Sequence, residues 1–246
     1  LHGTGSRLVP ELLSRRGFKR IRCVDAQMEA DGNFPTLVSP NPEDPRAFEM
    51  ALAQAEATDD LIIANDPDAD RLGVMVRDEE HSWQRLDGNQ IGVLLLDYVL
   101  SQMHENGNLP RKALVIVTAV SSRLPVMIAR SYGLEVVETL TGFKWIRDAA
   151  VKYEKTEQGS FVFGMEESHG YLCGTYTGDK DGVWAALAFA EMGALLKSKG
   201  KNVLQQLQIL YRKHGAHLDA LETLTLKGVG GTLRIDGIME GLRQTP

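Results

Sequence analysis

The chain has 246 residues, 43% of them hydrophobic, enough to bury a sizeable core as one large domain or two smaller ones. A formal charge of −6, with no Lys/Arg-rich stripe interleaved with aromatics, argues against nucleic acid as the main partner. Two cysteines, Cys23 and Cys173, argue against a disulfide framework or a Cys-based zinc site and fit a reducing cytoplasm. No apolar run approaches transmembrane length, and no signal peptide is visible, so a membrane partner is not expected. The chain opens on Leu1 within sequence that already reads as structured, and the expectation is a piece of a longer protein.

In chain order, Thr4 and Ser6 introduce a capped helix over residues 7–16 that Gly17 ends. Residues 21–24 read as a short strand, residues 31–42 as a turn-rich loop, and residues 45–57 as a second helix. The run 61–64 is a strand, with 72–76 returning as its neighbour. Ile91, Leu94, Leu95, Tyr98 and Val99 carry helical spacing over residues 89–103. The polar stretch 104–112, with Asn106-Gly107-Asn108 and Pro110, is the expected boundary between residues 1–106 and 107–246. Beyond it, strands at 114–117, 135–140 and 161–165 alternate with helices at 122–132, 144–153, 182–197 and 203–211. A strand at 221–226 and a helix over 235–242 close the chain. The pattern is α/β: two consecutive three-layer α/β domains with mixed, mostly parallel sheets.

The chemistry begins directly after the first strand of this pattern, in Asn65-Asp66-Pro67-Asp68-Ala69-Asp70-Arg71. Three carboxylates at alternate positions can converge on one point, and their mutual repulsion is relieved by a hard cation such as Mg²⁺ or Ca²⁺. Arg71 adds a fixed, forked positive charge suited to phosphate or carboxylate. A solvated acidic turn is the plainer alternative, since Pro67 and the Asx content favour a turn by themselves. An EF-hand is excluded, because its required Gly and Glu positions fall on Arg71 and Arg77.

Three further loops stand at strand–helix junctions, where α/β sheets bind ligands. In Gly164-Met165-Glu166-Glu167-Ser168-His169-Gly170, Glu166 and Ser168 pair a carboxylate with a hydroxyl, a combination suited to vicinal sugar hydroxyls. In Gly178-Asp179-Lys180-Asp181-Gly182, Asp181 is a candidate N-cap, and Lys180 is either a solvated cation or an acid–base group. In Thr141-Gly142-Phe143-Lys144, Gly142 permits close backbone approach.

These four loops occur in the order seen in α-D-phosphohexomutases, the family of phosphoglucomutases, phosphomannomutases and a phosphopentomutase branch. Leu1-His2-Gly3-Thr4-Gly5, Phe34-Pro35, Pro40-Asn41-Pro42-Glu43 and Gly88-Asn89-Gln90-Ile91-Gly92 extend the resemblance over nearly the whole chain. The family has four domains around one cleft, and this chain resembles the second and third, with the last strand of the third expected to be absent. The resemblance implies that Asp66, Asp68 and Asp70 bind Mg²⁺ and that Arg71 helps hold a phosphoserine. It implies that Glu166 and Ser168 contact sugar hydroxyls, with Gly142, Phe143 and His169 as further substrate-binding candidates. Lys180 is then the leading cation for substrate contact or proton transfer, and Lys144 the second.

The family's phosphorylated serine lies in a Thr-Ala-Ser-His-Asn-Pro type loop of its first domain, and its substrate-phosphate clamp lies in the fourth. Neither sequence occurs here. The resemblance therefore implies part of a cytoplasmic mutase for glucose 1-phosphate and glucose 6-phosphate, acting through a phosphoserine and a bisphosphate, and inactive without the missing domains. Mannose or pentose phosphates are the alternatives within the family. Outside it stand a haloacid-dehalogenase-type phosphatase with Asp66 as nucleophile, and a non-catalytic metal or sugar-phosphate-binding module.

Overall fold

The computed structural model describes residues 1–156, 159–220 and 226–244. A first sheet contains β1 (Leu61–Ala64), β2 (Gly73–Arg77) and β3 (Trp83–Arg85), in that order and antiparallel throughout. The short loop 65–72 permits only this antiparallel return, since a parallel crossover needs a dozen residues or more. Helices α1 (Gly5–Arg15) and α2 (Glu49–Gln54) precede the sheet, and α3 (Gly88–Glu105) follows it.

The second sheet is built from β4 (Ala113–Thr118), β5 (Glu135–Thr139), β6 (Ser160–Glu166) and β7 (Gly170–Leu172), in the order β5-β4-β6-β7. Its first two pairings are parallel and the last is antiparallel, the mixed and mostly parallel sheet expected of the sequence. The intervening helices are α4 (Leu124–Ser131) and α5 (Phe143–Thr156). After them come α6 (Gly182–Ser198), α7 (Val203–His214) and α8 (Gly228–Gln244).

Side-chain alternation assigns each face. In β4, Ala113, Val115 and Val117 enter a large core shared with α3, α4, α6 and α7, while Leu114 and Ile116 meet Phe143, Ile146 and Phe161 on the α5 side. A central strand covered on both faces explains its unbroken apolar run. In the first sheet, Val74 and Val76 face the large core, whereas Ile62, Ala64 and Met75 pack on Ala47 and Phe48. Helix α3 starts with a capping box, in which Asp87 accepts the Gln90 N–H at 2.8 Å and Gln90 accepts the Asp87 N–H at 3.0 Å. It then packs against β2, β6, α4, α6 and α7, so one apolar core joins both sheets. Phe163, wholly buried there, would cost roughly 3–5 kcal/mol if cut to Ala.

Several local expectations change. Thr4 does not cap α1: its backbone is already helical (φ −67°, ψ −28°) and its hydroxyl turns instead to the Pro67 carbonyl at 3.4 Å. Residues 21–24 form no strand, because no strand pairs with them among the described residues. The 45–57 helix divides into a 3₁₀ turn, Pro45–Phe48, and α2. The expected strand at 221–226 lies outside the described residues except for Leu226. Strands β3 and β7, three residues each, have no counterpart in the sequence pattern, since so short a run carries no period.

Candidate functional site

Loop 65–72 is held by three other segments of the chain. Its Arg71 forms an antiparallel bridge with Gly170 of β7, and the Leu72 N–H donates to the His169 carbonyl at 3.0 Å. The Thr4 N–H donates to the Pro67 carbonyl at 2.8 Å, and the Gly182 N–H to the Ala69 carbonyl at 3.0 Å. Inside the loop, buried Asn65 donates through Nδ2 to the carbonyls of Arg71 (2.7 Å) and Gly182 (3.1 Å). A Cβ on Gly182 would come within 2.5 Å of the Arg71 carbonyl oxygen, so this approach requires glycine.

These anchors gather the three aspartates. One carboxylate oxygen from each of Asp66, Asp68 and Asp70 lies within 4.8 Å of the others. The convergence comes from a turn and not from extended alternation. The Ala69 N–H donates to the Asp66 carbonyl at 3.1 Å, and Ala69 takes a left-handed φ of 59°, uncommon for a residue with a Cβ. Asp66 is buried, with Oδ1 accepting the Arg71 N–H at 3.0 Å, while Asp68 is exposed. Burial, with Asp70 and Asp68 adding repulsion, pushes the Asp66 carboxyl up to about 6 against the pull of the Arg71 N–H. Asp70 Oδ1 is buried without a hydrogen-bond partner. Hard oxygens from three converging carboxylates and a carboxylate oxygen without a hydrogen-bond partner together suit a divalent cation such as Mg²⁺.

Cations frame this cluster. The Arg71 guanidinium pairs with Glu43 at 3.1 Å and passes Asp66 at 3.6 Å. Lys180, on the loop between β7 and α6, places Nζ 2.6 Å from Asp70 Oδ2 and 3.5 Å from Asp179. Burial alone would lower the Lys180 ammonium, but Asp70, Asp179 and Glu166 outweigh it and hold it above its ordinary value. Asp181 caps α6 as expected, accepting the N–H groups of Val183 (2.8 Å) and Trp184 (3.0 Å).

Glu166, at the end of β6, is buried and accepts the Gly142 N–H at 2.7 Å. Burial pushes its carboxyl up, against the Gly142 N–H and Lys180. Gly142 (φ 117°) thus brings the 141–144 loop to the Glu166 loop. Ser168 is half-buried on the turn between β6 and β7. His169 lies behind that turn, 3% exposed, with ring Nδ1 2.8 Å from the Leu72 carbonyl. Phe143 sends its side chain into the core beneath α5, and Lys144 is exposed, with Nζ over the Trp145 ring. The structure therefore gathers Asp66, Asp68, Asp70, Arg71, Lys180, Glu166 and Gly142 around one region. Sequence reasoning gave no role to Glu43, Asn65 or Glu167. Their only signal was position, Glu43 in a Pro-Asn-Pro-Glu turn and the others beside marked residues.

Residues 1–80 match the family model described as phosphoglucomutase/phosphomannomutase, alpha/beta/alpha domain II, and residues 87–214 match that of domain III. The chain belongs to the phosphoglucomutase/phosphomannomutase family. A phosphoglucomutase of Staphylococcus aureus (strain MRSA252) is 38% identical over 247 residues, covering all of this chain and 44% of that protein. The chain thus spans less than half the length of the curated family member it matches, in the region of domains II and III. Among solved structures, a Thermus thermophilus protein assigned as a phosphomannomutase superposes with a TM-score of 0.69 at 23% identity, over 92% of this chain and 48% of that one. A phosphoglucomutase/phosphomannomutase family protein from Burkholderia thailandensis gives 0.66 at 21% identity, over 91% and 42%. Those two likenesses concern the fold alone. No helix among the described residues is long and apolar enough to cross a membrane.

Proposed function

We propose that the chain supplies the metal loop and the sugar loop of a cytoplasmic phosphosugar mutase that interconverts glucose 1-phosphate and glucose 6-phosphate. The observation that carries this reading is the backbone bridge between Arg71 and Gly170, reinforced by Leu72 N–H to the His169 carbonyl. It ties a three-carboxylate loop to a Glu-Glu-Ser-His loop, with Lys180 reaching Asp70 and its charge acting on Glu166. Asp66, Asp68 and Asp70 would hold Mg²⁺, which when bound neutralises charge on the transferring phosphoryl group.

The chain's own groups have separable tasks in this reading. Arg71, aimed by Glu43, orients the phosphoserine contributed by a domain outside these residues. Lys180 offers a cation to a phosphate oxygen. Glu166, fixed by the Gly142 N–H, and Ser168 accept and donate to sugar hydroxyls, and His169 shapes their turn. Lys144, exposed on the neighbouring loop, is the second cation offered to the substrate, and the backbone at Phe143 is a further contact in this reading. In this reading a hydroxyl of the sugar phosphate loses its proton to a base and accepts the phosphoryl group as the serine–phosphate bond breaks, and the bisphosphate so formed turns over in the cleft and returns its other phosphate to the freed serine.

Mutase turnover of glucose 1-phosphate, with Mg²⁺ and a glucose bisphosphate primer, tests the reading. The 246 residues are assayed beside a longer polypeptide that adds a serine-bearing first domain and a phosphate-clamping fourth. The expected result is an inactive chain and an active longer polypeptide, with mannose and pentose 1-phosphates turned over more slowly. Turnover by the 246 residues alone would put the nucleophile within them and overturn the assignment.

A further inference from the structure

Behind the sugar loop runs a buried hydroxyl relay that the reaction itself does not use. Thr118 ends β4, the central strand of the second sheet, and is 1% exposed. Its Oγ1 donates to Glu167 Oε2 at 2.8 Å and lies 2.7 Å from Ser121 Oγ. A hydroxyl has one proton, and a carboxylate only accepts, so the Thr118 proton goes to Glu167 and Ser121 donates to Thr118. The direction is thereby set: Ser121 to Thr118 to Glu167.

We propose that this relay is a positioning device, and that Thr118 and Glu167 determine how Glu166 and Ser168 present themselves to the sugar. Neighbouring residues at the end of a strand face opposite ways. Glu166 turns to the Gly142 N–H, while Glu167 turns to Thr118 beneath the loop. The Glu167 backbone is pinned as well, since a Cβ on Gly88 would collide with its carbonyl, and the Tyr171 hydroxyl holds the Gly88 carbonyl at 2.7 Å. Thr118 also stands in register with Thr139, and the next N–H, that of Ala119, donates to the Thr139 carbonyl at 2.8 Å. Thr139 leads directly into the 141–144 loop. The end of the central strand is thus tied to both loops that meet at Glu166, through the Thr118 side chain to Glu167 and through backbone pairing to Thr139. A ligand gripped by those loops, a vicinal diol on a phosphorylated pyranose, would lose its fit when the spacing relaxes.

The inference rests on the mutase reading, and the test separates the two. In the longer polypeptide, kcat and KM for glucose 1-phosphate are measured for wild type, T118V and T118S, with the melting temperature of each. Because the relay touches no reacting atom, T118V is expected to raise KM roughly tenfold with kcat within about twofold, and T118S to restore KM. Should T118V not fold, S121A removes the terminal donor alone and is expected to raise KM about threefold. An unchanged KM in the folded hydroxyl-deleted variant would overturn the inference. So would equal losses in T118V and T118S that follow melting temperature, which would mark Thr118 as packing only. A wild-type polypeptide that turns over no sugar phosphate would overturn the mutase reading itself, and this inference with it.

Discussion

Lys180 Nζ sits 2.6 Å from Asp70 Oδ2, so an ammonium occupies the rim of the three-carboxylate cluster. A divalent cation entering the cluster must share Asp70 with that charge or displace it. K180M removes the competing cation while keeping much of the stem's apolar packing. The prediction is Mg²⁺ affinity about tenfold tighter in this chain, by titration calorimetry, because a like charge near the ion is lost. Turnover in the longer polypeptide is expected to fall. Weaker metal binding in K180M would show that the lysine orders Asp70 more than it competes.

Asp68 allows a cleaner test of the metal loop, since it is exposed and makes no structural contact comparable to that of Asp66. D68N is expected to leave the metal-free melting temperature nearly unchanged, as exposed substitutions alter stability by about 0.5 kcal/mol or less. It should abolish the upward shift that Mg²⁺ gives the parent chain, because stabilisation by a ligand follows its affinity. Thermal melts with and without Mg²⁺ check both halves, and an undiminished shift in D68N would remove Asp68 from the ligand set.

How much of this is readable in the sequence depends on the range of the interaction. The Asp66-Asp68-Asp70 spacing and the apolar run before it are local, and they announce a converging acidic loop after a strand. The Asp181 cap and the two-sided burial of β4 are equally local. Lys180 on Asp70, Arg71 on Gly170 and Thr118 on Glu167 join residues that lie far apart in sequence, and no spacing rule encodes them. Residues 21–24 have strand composition but lack a partner, because a strand is made by its neighbour as much as by its own residues. Asn65 reads as an ordinary turn residue. Only the structure gives it two backbone carbonyls to hold.

His169 links the fold to pH. Its ring is buried against the Leu72 carbonyl, and burial holds its pKa below the ordinary value, with Arg85 lowering it further and Leu72, Glu43 and Asp87 opposing. The unfolded chain therefore binds more protons than the folded one just below about pH 6.5, so this residue's contribution to stability is present above that pH and declines as the pH falls. The φ of 68° at this position suits Asn, which tolerates the left-handed region. Urea unfolding at about pH 7.5 and about pH 5.5, on either side of the ordinary histidine value, should show a larger acid loss in wild type than in H169N. Equal losses would mean that the imidazole is protonated in the fold.

The approach of α6 to the metal loop is the final test, because it asks whether backbone contact alone sets the carboxylate geometry. A Cβ at Gly182 would meet the Arg71 carbonyl at 2.5 Å, the Ala69 carbonyl at 2.7 Å and the doubly bonded Asn65 Nδ2 at 2.7 Å. G182A must push α6 from the loop, breaking the Gly182 N–H to Ala69 bond and straining the Asn65 clamp. Overpacking of this kind costs about 1–3 kcal/mol. Gly32, with nothing within 4 Å and no left-handed backbone, is the matched control, and G32A should be neutral to within about 0.5 kcal/mol. The decisive reading is metal affinity in the population that remains folded. If the α6 contact sets the spacing of Asp66, Asp68 and Asp70, Mg²⁺ binding weakens in G182A beyond what unfolding explains and is unchanged in G32A. Full metal affinity in folded G182A would mean that the turn at Ala69 holds the three carboxylates without help from α6.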